Sequence, residues 1–297
     1  MPELPEVETV ARGLEAAVAG RRIVSVTLRK TDFIDDPALL ERELPGRRIE
    51  RVERYGKFML LRLAALESIP AAPPEALLVH LGMTGNLAPN AAGQPLRKHT
   101  HTAFLLDDGR ELRYTDARRF GRMAFLSGET LERELERFGA DPLEVGRAEF
   151  AARMRSSRAR IKALLLDQGV LRGVGNIYAD ESLWRARIHP AKPGARLSER
   201  EAERLRQALR AILARAIALR GSSISDFVDA DGMPGDYQQH HRAYGREGKR
   251  CFRCARTIRR IIVAGRSSYF CPRCQPAPRG PRRARAKRRS TRRTSKG

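Results

Sequence analysis

Cys251-Phe252-Arg253-Cys254 and Cys271-Pro272-Arg273-Cys274 form two C-x-x-C pairs separated by sixteen residues, and the chain has no other cysteine. A disulfide framework would spread its cysteines through the chain. Two thiolate pairs at this spacing instead suit two hairpin knuckles that grip one tetrahedral zinc ion. Four sulfur ligands close the coordination shell, so the ion is expected to be structural and to organise a hairpin rather than to catalyse. The chain must therefore build a small metal-held unit beginning near Lys249, and everything before it has to fold around cores of its own.

Charge narrows the partner. Lys and Arg number 58 against 35 Asp and Glu, a formal +23. Such an excess predicts a polyanion, most commonly nucleic acid. Ten basic residues and no acid lie between Arg279 and Lys296, which still leaves +13 on the remainder, so the body is basic in its own right. The stretch from Pro276 onward is low in complexity and is expected to be a disordered basic tail with nonspecific DNA affinity. No apolar run approaches the ~20 residues of a membrane span, and the N-terminus lacks a signal-peptide pattern. A soluble intracellular protein is the expectation.

Patterning divides the chain. From Arg21 to Leu126 the apolar runs are short and β-like: Ile23–Leu28, Phe58–Leu63, Leu77–His80 and Thr102–Leu106. The last leads through Asp107-Asp108-Gly109-Arg110 into Glu111–Tyr114, which reads as a hairpin. The stretch from Ala64 to Ala76, rich in Ala and Pro, reads as a loop between strands. After about residue 129 the period turns helical. Leu205, Leu209, Ile212, Ala216 and Leu219 make an apolar stripe, opened by a Ser198/Glu201 capping box and closed by Gly221. Two shorter helices, roughly Ile161 to Gln168 and from about Ile177, flank Gly169-Val170-Leu171-Arg172-Gly173-Val174-Gly175-Asn176. Such a connection can present backbone amides to a phosphate, although glycines also simply end helices.

The N-terminus, Met1-Pro2-Glu3-Leu4-Pro5-Glu6-Val7-Glu8, carries candidate chemistry. If Met1 is trimmed, the new terminus is the secondary amine of Pro2. An α-amino group titrates near ~8, so part of it is uncharged at neutral pH, and its attack on a sugar aldehyde carbon yields a cationic iminium. Glu3 could act as the acid that opens a ribose ring, and Glu6, one turn on, could hold the amine or complement the helix start. The plain alternative is a Pro- and Glu-rich first turn of a helix whose buried stripe is Val7, Val10, Leu14 and Val18.

Seven separated motifs, in order over residues 1 to about 275, resemble the bacterial formamidopyrimidine-DNA glycosylases, base-excision enzymes for 8-oxoguanine and ring-opened purines. They are Met1–Val10, Tyr55-Gly56-Lys57, His80-Leu81-Gly82-Met83-Thr84-Gly85, Tyr114-Thr115-Asp116-Ala117-Arg118-Arg119-Phe120-Gly121, Gly173–Glu181, Tyr244-Gly245-Arg246 and the four-cysteine finger. The resemblance implies an α+β fold: a β-sandwich with an N-terminal helix over residues 1–130, a helix-two-turn-helix DNA-binding unit over 131–248, a zinc finger hairpin over 249–276, then the tail, 277–297.

It also implies a bifunctional glycosylase and abasic-site lyase, a cytoplasmic, nucleoid-associated monomer acting on double-stranded DNA with oxidised purines or abasic sites. Pro2 attacks the sugar C1′ while Glu3 protonates the ring oxygen; Lys57 assists elimination of the 3′ phosphate and Arg266 of the 5′ phosphate. Met83 and Phe120 enter the space left by the flipped base as wedges, and Arg118 probes the orphaned partner. His99, Lys162, Asn176 and Arg266 grip phosphates, and His80 either joins them or is a packed core histidine. Glu181 and Tyr244 line the lesion pocket or are structural, and Ser222 and Ser223 belong to a loop, Gly221 to Asp226, that closes over the base. Without the resemblance Lys57 would read as an ordinary strand lysine, and Met83 and Phe120 as core. One departure is Ser157 where a basic residue is usual, with Arg158 beside it as the substitute phosphate contact; the tail is another.

Two rivals remain. An endonuclease VIII type would remove oxidised pyrimidines with the same proline, but it opens with Glu-Gly where this chain has Glu3-Leu4. A non-catalytic damaged-DNA-binding zinc finger protein would have no need of Pro2, Glu3, Lys57 and Arg266 together.

Overall fold

Helix α1 (Leu4–Val18) is held at its start by Glu6, whose carboxylate reaches back to accept the Glu3 N–H at 2.8 Å, with Pro5 in the first turn. The computed structural model describes residues 1–64, 73–223 and 232–278. The buried stripe of α1 serves two cores: Val7, Val10, Ala11, Leu14 and Val18 pack among strands, whereas Leu4 packs among the helices of the second half. The first turn of α1 thus lies at the seam between the cores.

Two four-stranded antiparallel sheets form the strand half. One has the order β1 (Ile23–Leu28), β6 (Thr100–Leu106), β7 (Glu111–Asp116), β5 (Gly85–Asn90); the other has β2 (Ile49–Tyr55), β3 (Phe58–Leu63), β4 (Glu75–His80), β8 (Arg122–Ser127). Phe104, Leu112, Tyr114 and Leu87 of the first meet Met59, Leu61, Leu77 and Val79 of the second in one core, the expected sandwich. The β6–β7 hairpin turns at Gly109, whose φ is 83°. Strands β2, β5 and β8 are not among the β-like runs named from the sequence. β2 is charged apart from Ile49, Val52 and Tyr55, and β5 contains Pro89, which is tolerated because β5 is an edge strand. Helix α2 (Pro37–Glu43) also went unread, although its signal was present: the Asp36 carboxylate accepts the Leu39 N–H at 2.9 Å and Pro37 opens the first turn. Of the expected loop from Ala64 to Ala76, residues 65–72 lie outside the described residues, and β4 already begins at Glu75.

The second half holds α3 (Gly128–Glu136), α4 (Arg147–Arg155), α5 (Ile161–Leu166), α6 (Asn176–Ala186) and α7 (Glu199–Ala218). Leu205, Leu209, Ile212 and Ala216 of the expected α7 stripe are buried, Leu219 is the half-buried C-cap, and the Ser198/Glu201 box is formed, but the helix ends differently. Gly221 N–H bonds to Ala216 O (2.8 Å) and Arg220 N–H to Ile217 O (3.0 Å), a Schellman pair in which Arg220, at φ 58°, takes the left-handed position ahead of Gly221. Helix α5 stops at Leu166, short of the expected Gln168. The Gln168 side chain instead accepts the Gly173 N–H (2.8 Å) and donates to Val174 O (3.0 Å), which locks the turn into α6. Strands β9 (Arg259–Val263) and β10 (Arg266–Phe270) form the terminal hairpin, and Trp184 of α6, Ala243 and Ile258 pack against Cys251 and Cys271. The tail from residue 279, residues 224–226 of the expected closing loop and residues 227–231 lie outside the described residues.

Candidate active site

Glu3 is buried at the N-terminus of α6. Its two carboxylate oxygens accept backbone N–H groups from Gly175 (3.0 Å), Ile177 (2.9 Å) and Tyr178 (3.3 Å). The amides expected to hold a phosphate therefore hold a carboxylate, which suits the positive end of the helix dipole. Gly175 is required for this approach: a Cβ there would stand 2.3 Å from Glu3 Cδ. Burial raises the Glu3 carboxyl above its usual range, against the lowering pull of Lys57 and the helix amides. A raised carboxyl is what a general acid needs at neutral pH.

Glu6 lies behind it. Besides the Glu3 N–H, it accepts the Tyr178 hydroxyl (2.5 Å) and the Ser222 N–H (2.7 Å). Burial, then the nearby Glu3 charge, pushes its carboxyl up to about 7. Glu6 thus joins the chain terminus to Ser222, at the start of the segment expected to close over a base. Tyr178 is a residue the sequence reading missed as a participant. Its position within the Gly173–Glu181 motif was the only signal. Pro2 is buried beside these groups, while Met1 is half exposed.

Lys57 sits in the β2–β3 turn and is largely buried. Burial lowers its ammonium pKa, Glu3 opposes that, and the Arg266 charge adds to it. Lys57, Glu3, Glu6 and Arg266 therefore share one electrostatic neighbourhood, and Arg266 reaches it as the first residue of β10 after the Ala264-Gly265 turn. His80 is packed face-near to Phe58 (4.8 Å between centroids), and its Nδ1 accepts the Gly82 N–H at 3.1 Å. Burial and the Lys57 charge push its pKa down to about 4, so it is a neutral, packed imidazole at pH 7.

Lys162 must be reassigned. It is fully buried, its Nζ bonds Asp180 at 2.7 Å and donates to Ser267 O at 2.7 Å, and so it cannot grip a phosphate. Asp180 in turn accepts the Tyr269 N–H at 3.0 Å, so the pair clamps β10, and with it Arg266, against α5 and α6. Glu181 is buried and borders a cavity that Trp184, Tyr237 and Arg242 also line. Its carboxylate is spent on the N–H groups of Arg242, Ala243 and Tyr244, all within 2.9 Å, which orients the Tyr244 segment. Tyr244 itself is half-buried against His241 and Tyr269.

The remaining residues are distributed around this centre. Met83 (39% exposed) and Phe120 (57% exposed) project from adjoining loops instead of entering the core, and the Arg118 guanidinium lies 4.6 Å from the Phe120 ring centroid. Exposure of two large apolar side chains beside a cation marks a surface built to meet a partner. His99 is exposed with a left-handed φ of 66°, and Arg158 is exposed between α4 and α5. Asn176 opens α6, with its Oδ1 buried and unpartnered among the described residues. Ser222 Oγ bonds His241 Nε2 (3.1 Å), and Ser223 N–H donates to Gln238 Oε1 (3.1 Å).

The four cysteine sulfurs lie within 4.8 Å of one another, and none is in a disulfide. Four Zn–S bonds of about 2.3 Å at tetrahedral angles need sulfurs about 3.8 Å apart, so the cluster fits one zinc ion with no water position. Its place at the base of β9–β10 lets the metal set the direction of the hairpin that carries Arg266.

The chain matches three family models in order: the formamidopyrimidine-DNA glycosylase N-terminal domain over residues 1–123, the formamidopyrimidine-DNA glycosylase H2TH domain over 138–228, and the zinc finger found in FPG and IleRS over 248–277. It is 44% identical over 277 residues to the formamidopyrimidine-DNA glycosylase of Solibacter usitatus, covering 93% of this chain and 99% of that protein. Among solved structures, the MutM (Fpg) protein of Thermus thermophilus matches with a TM-score of 0.80 at 42% identity, covering 92% and 98% of the two chains. A Lactococcus lactis Fpg mutant bound to DNA containing Fapy-dG matches at 0.84 and 33%, covering 93% and 100%.

Proposed function

We propose, from the premise that this chain belongs to the formamidopyrimidine-DNA glycosylase family, that it excises oxidised purines from duplex DNA and cuts the strand through an iminium on Pro2. The observation that carries this reading is the buried Glu3 carboxylate, held by the N-terminus of α6 beside Pro2 and within the fields of Lys57 and Arg266.

Removal of Met1 frees the Pro2 nitrogen. That nitrogen attacks the sugar C1′ and its proton passes to the base, which departs with the C1′–N bond pair, while Glu3, whose carboxyl burial raises, delivers a proton to the ring oxygen. The C1′–O4′ bond then breaks, the protonated ring oxygen leaving as the 4′ hydroxyl, and the Pro2 nitrogen lone pair forms the iminium, which acidifies the C2′ protons. Lys57 assists as one of them is lost and the 3′ phosphate leaves, its charge lowering the cost of the charge that develops there. Arg266 steadies the 5′ phosphate as it leaves in the second elimination. Met83, Phe120 and Arg118 fill the helix behind the extruded base, and His99, Asn176 and Arg158 meet phosphates. Ser222 and Ser223 lead into the segment that covers the lesion. When bound, zinc supplies structure alone: Cys251, Cys254, Cys271 and Cys274 hold the hairpin so that Arg266 faces the site. No helix among the described residues is long and apolar enough to cross a membrane, and work on chromosomal DNA would place the protein at the nucleoid in the cytoplasm.

The test is borohydride trapping on an 8-oxoguanine duplex, read by intact mass and peptide mapping. A single protein–DNA adduct on Pro2 is expected, abolished when the terminal amine is blocked. An adduct mapping to a lysine and surviving the block would exclude Pro2 as the nucleophile.

A further inference from the structure

Asp116 closes β7 and is completely buried. Its carboxylate receives four hydrogen bonds: Oδ1 accepts the Thr84 hydroxyl (2.5 Å) and the Arg118 N–H (3.2 Å), and Oδ2 accepts the Tyr114 hydroxyl (3.2 Å) and the Gly121 N–H (3.0 Å). None of these donors is a cation. The Arg118 guanidinium lies over the Phe120 ring instead. The Thr84 hydroxyl completes the set by accepting the same Arg118 N–H at 3.1 Å.

The origin of the donors is the informative part. Thr84 follows Met83 in the β4–β5 loop, whereas Arg118 and Gly121 bracket Phe120 in the β7–β8 loop. One carboxylate therefore ties together the two loops that carry all three exposed side chains assigned to the vacated base position. There is little slack. A Cβ on Gly121 would stand 1.8 Å from the Tyr114 hydroxyl, so the loop backbone lies directly against the group that holds Asp116 from behind. Met83 and Phe120 are exposed, so the backbone beneath them sets their direction.

We infer that Asp116 is a positioning residue for base extrusion, holding Met83, Arg118 and Phe120 as one preformed wedge; this rests on the glycosylase reading above. Opening a duplex already costs a few kcal/mol of stacking and pairing. Two loops that also had to be ordered during insertion would raise that barrier, whereas loops ordered beforehand by a buried acceptor do not.

Asp116→Asn keeps the shape but turns an N–H₂ toward N–H and O–H donors, loosening one side of the tie. Single-turnover excision of 8-oxoguanine paired with cytosine is expected to fall about tenfold or more, and the loss to shrink to about twofold when the lesion lies in an unpaired bubble that needs little extrusion. Equal losses on the two substrates, or no loss on the paired one, would overturn the inference. If the wild type excised neither, the glycosylase reading would fail instead. The wedge would then be judged by fluorescence of 2-aminopurine placed opposite a non-cleavable abasic analogue. A smaller rise on binding Asp116→Asn supports the tie, and an equal rise overturns it. Should Asp116→Asn lose zinc or melt early, Thr84→Val removes a donor without touching the carboxylate, and the same paired-to-bubble ratio decides.

Discussion

At the scale of single residues, the sequence offered Glu3 and Glu6 as a pair one turn apart, with either a chemical or a helix-capping meaning. The helix-capping meaning holds, and the capping contact is also what aims the pair. Glu6 takes the Glu3 N–H, leaving the Glu3 side chain free to meet the amides of α6. Burial of Glu6 has a measurable consequence. With a folded-state pKa of about 7 against 4.5 in the unfolded chain, the native state binds the extra proton between those values. Its contribution is fully present below pH about 4.5 and is lost as pH rises toward 7. Glu6→Gln is expected to lower stability at low pH through a lost hydrogen bond, by roughly 1–3 kcal/mol, and to fall less steeply than the wild type across that window. Denaturant unfolding at several pH values checks this, and parallel profiles would mean that Glu6 does not titrate there.

Elements reveal what single positions could not. Lys162 reads as a phosphate ligand when taken as a basic residue opening a helix in a DNA-binding protein, yet it is the buried pin between α5, α6 and β10. Burial raises Asp180 to about 7 and lowers Lys162, so each partner depends on the other to remain charged. Lys162→Met leaves Asp180 unpaired and is expected to destabilise the fold by about 3–5 kcal/mol, with part of the loss recovered in Lys162→Met/Asp180→Leu. Chemical unfolding of the single and double variants measures this. In the same variants the salt dependence of DNA binding should match the wild type, because a fully buried ammonium releases no counterions. A flatter slope for Lys162→Met would restore the phosphate contact.

On the scale of the whole molecule, charge is carried unevenly. The ten basic residues between Arg279 and Lys296 can neutralise several phosphates, each steepening the fall of log affinity with log salt by roughly 0.9 on duplex DNA. Truncation after Gln275 is expected to weaken binding to undamaged DNA and flatten its salt dependence, with single-turnover excision on saturating lesion DNA little changed. Titrations of both forms at several salt concentrations check it; identical slopes would show that the tail does not touch DNA.

Much of this molecule was legible from its residues alone. The two C-x-x-C pairs announced the metal hairpin, the period of Leu205, Leu209, Ile212 and Ala216 announced α7, and the β6–β7 hairpin followed from its Asp-Asp-Gly turn, because spacing and turn chemistry act over a few residues. The β-sandwich and the helical unit also followed, since period 2 and period 3.6 are local properties. Direction was not legible. Sequence could not say that Met83 and Phe120 face outward, that Lys162 and Glu181 face inward, or that the amides of α6 are taken by Glu3, since each depends on which distant group arrives opposite. Such choices are made by burial and hydrogen-bond satisfaction between segments as far apart as Glu3 and Tyr178 or Lys162 and Ser267, and those partners meet only when the chain has folded.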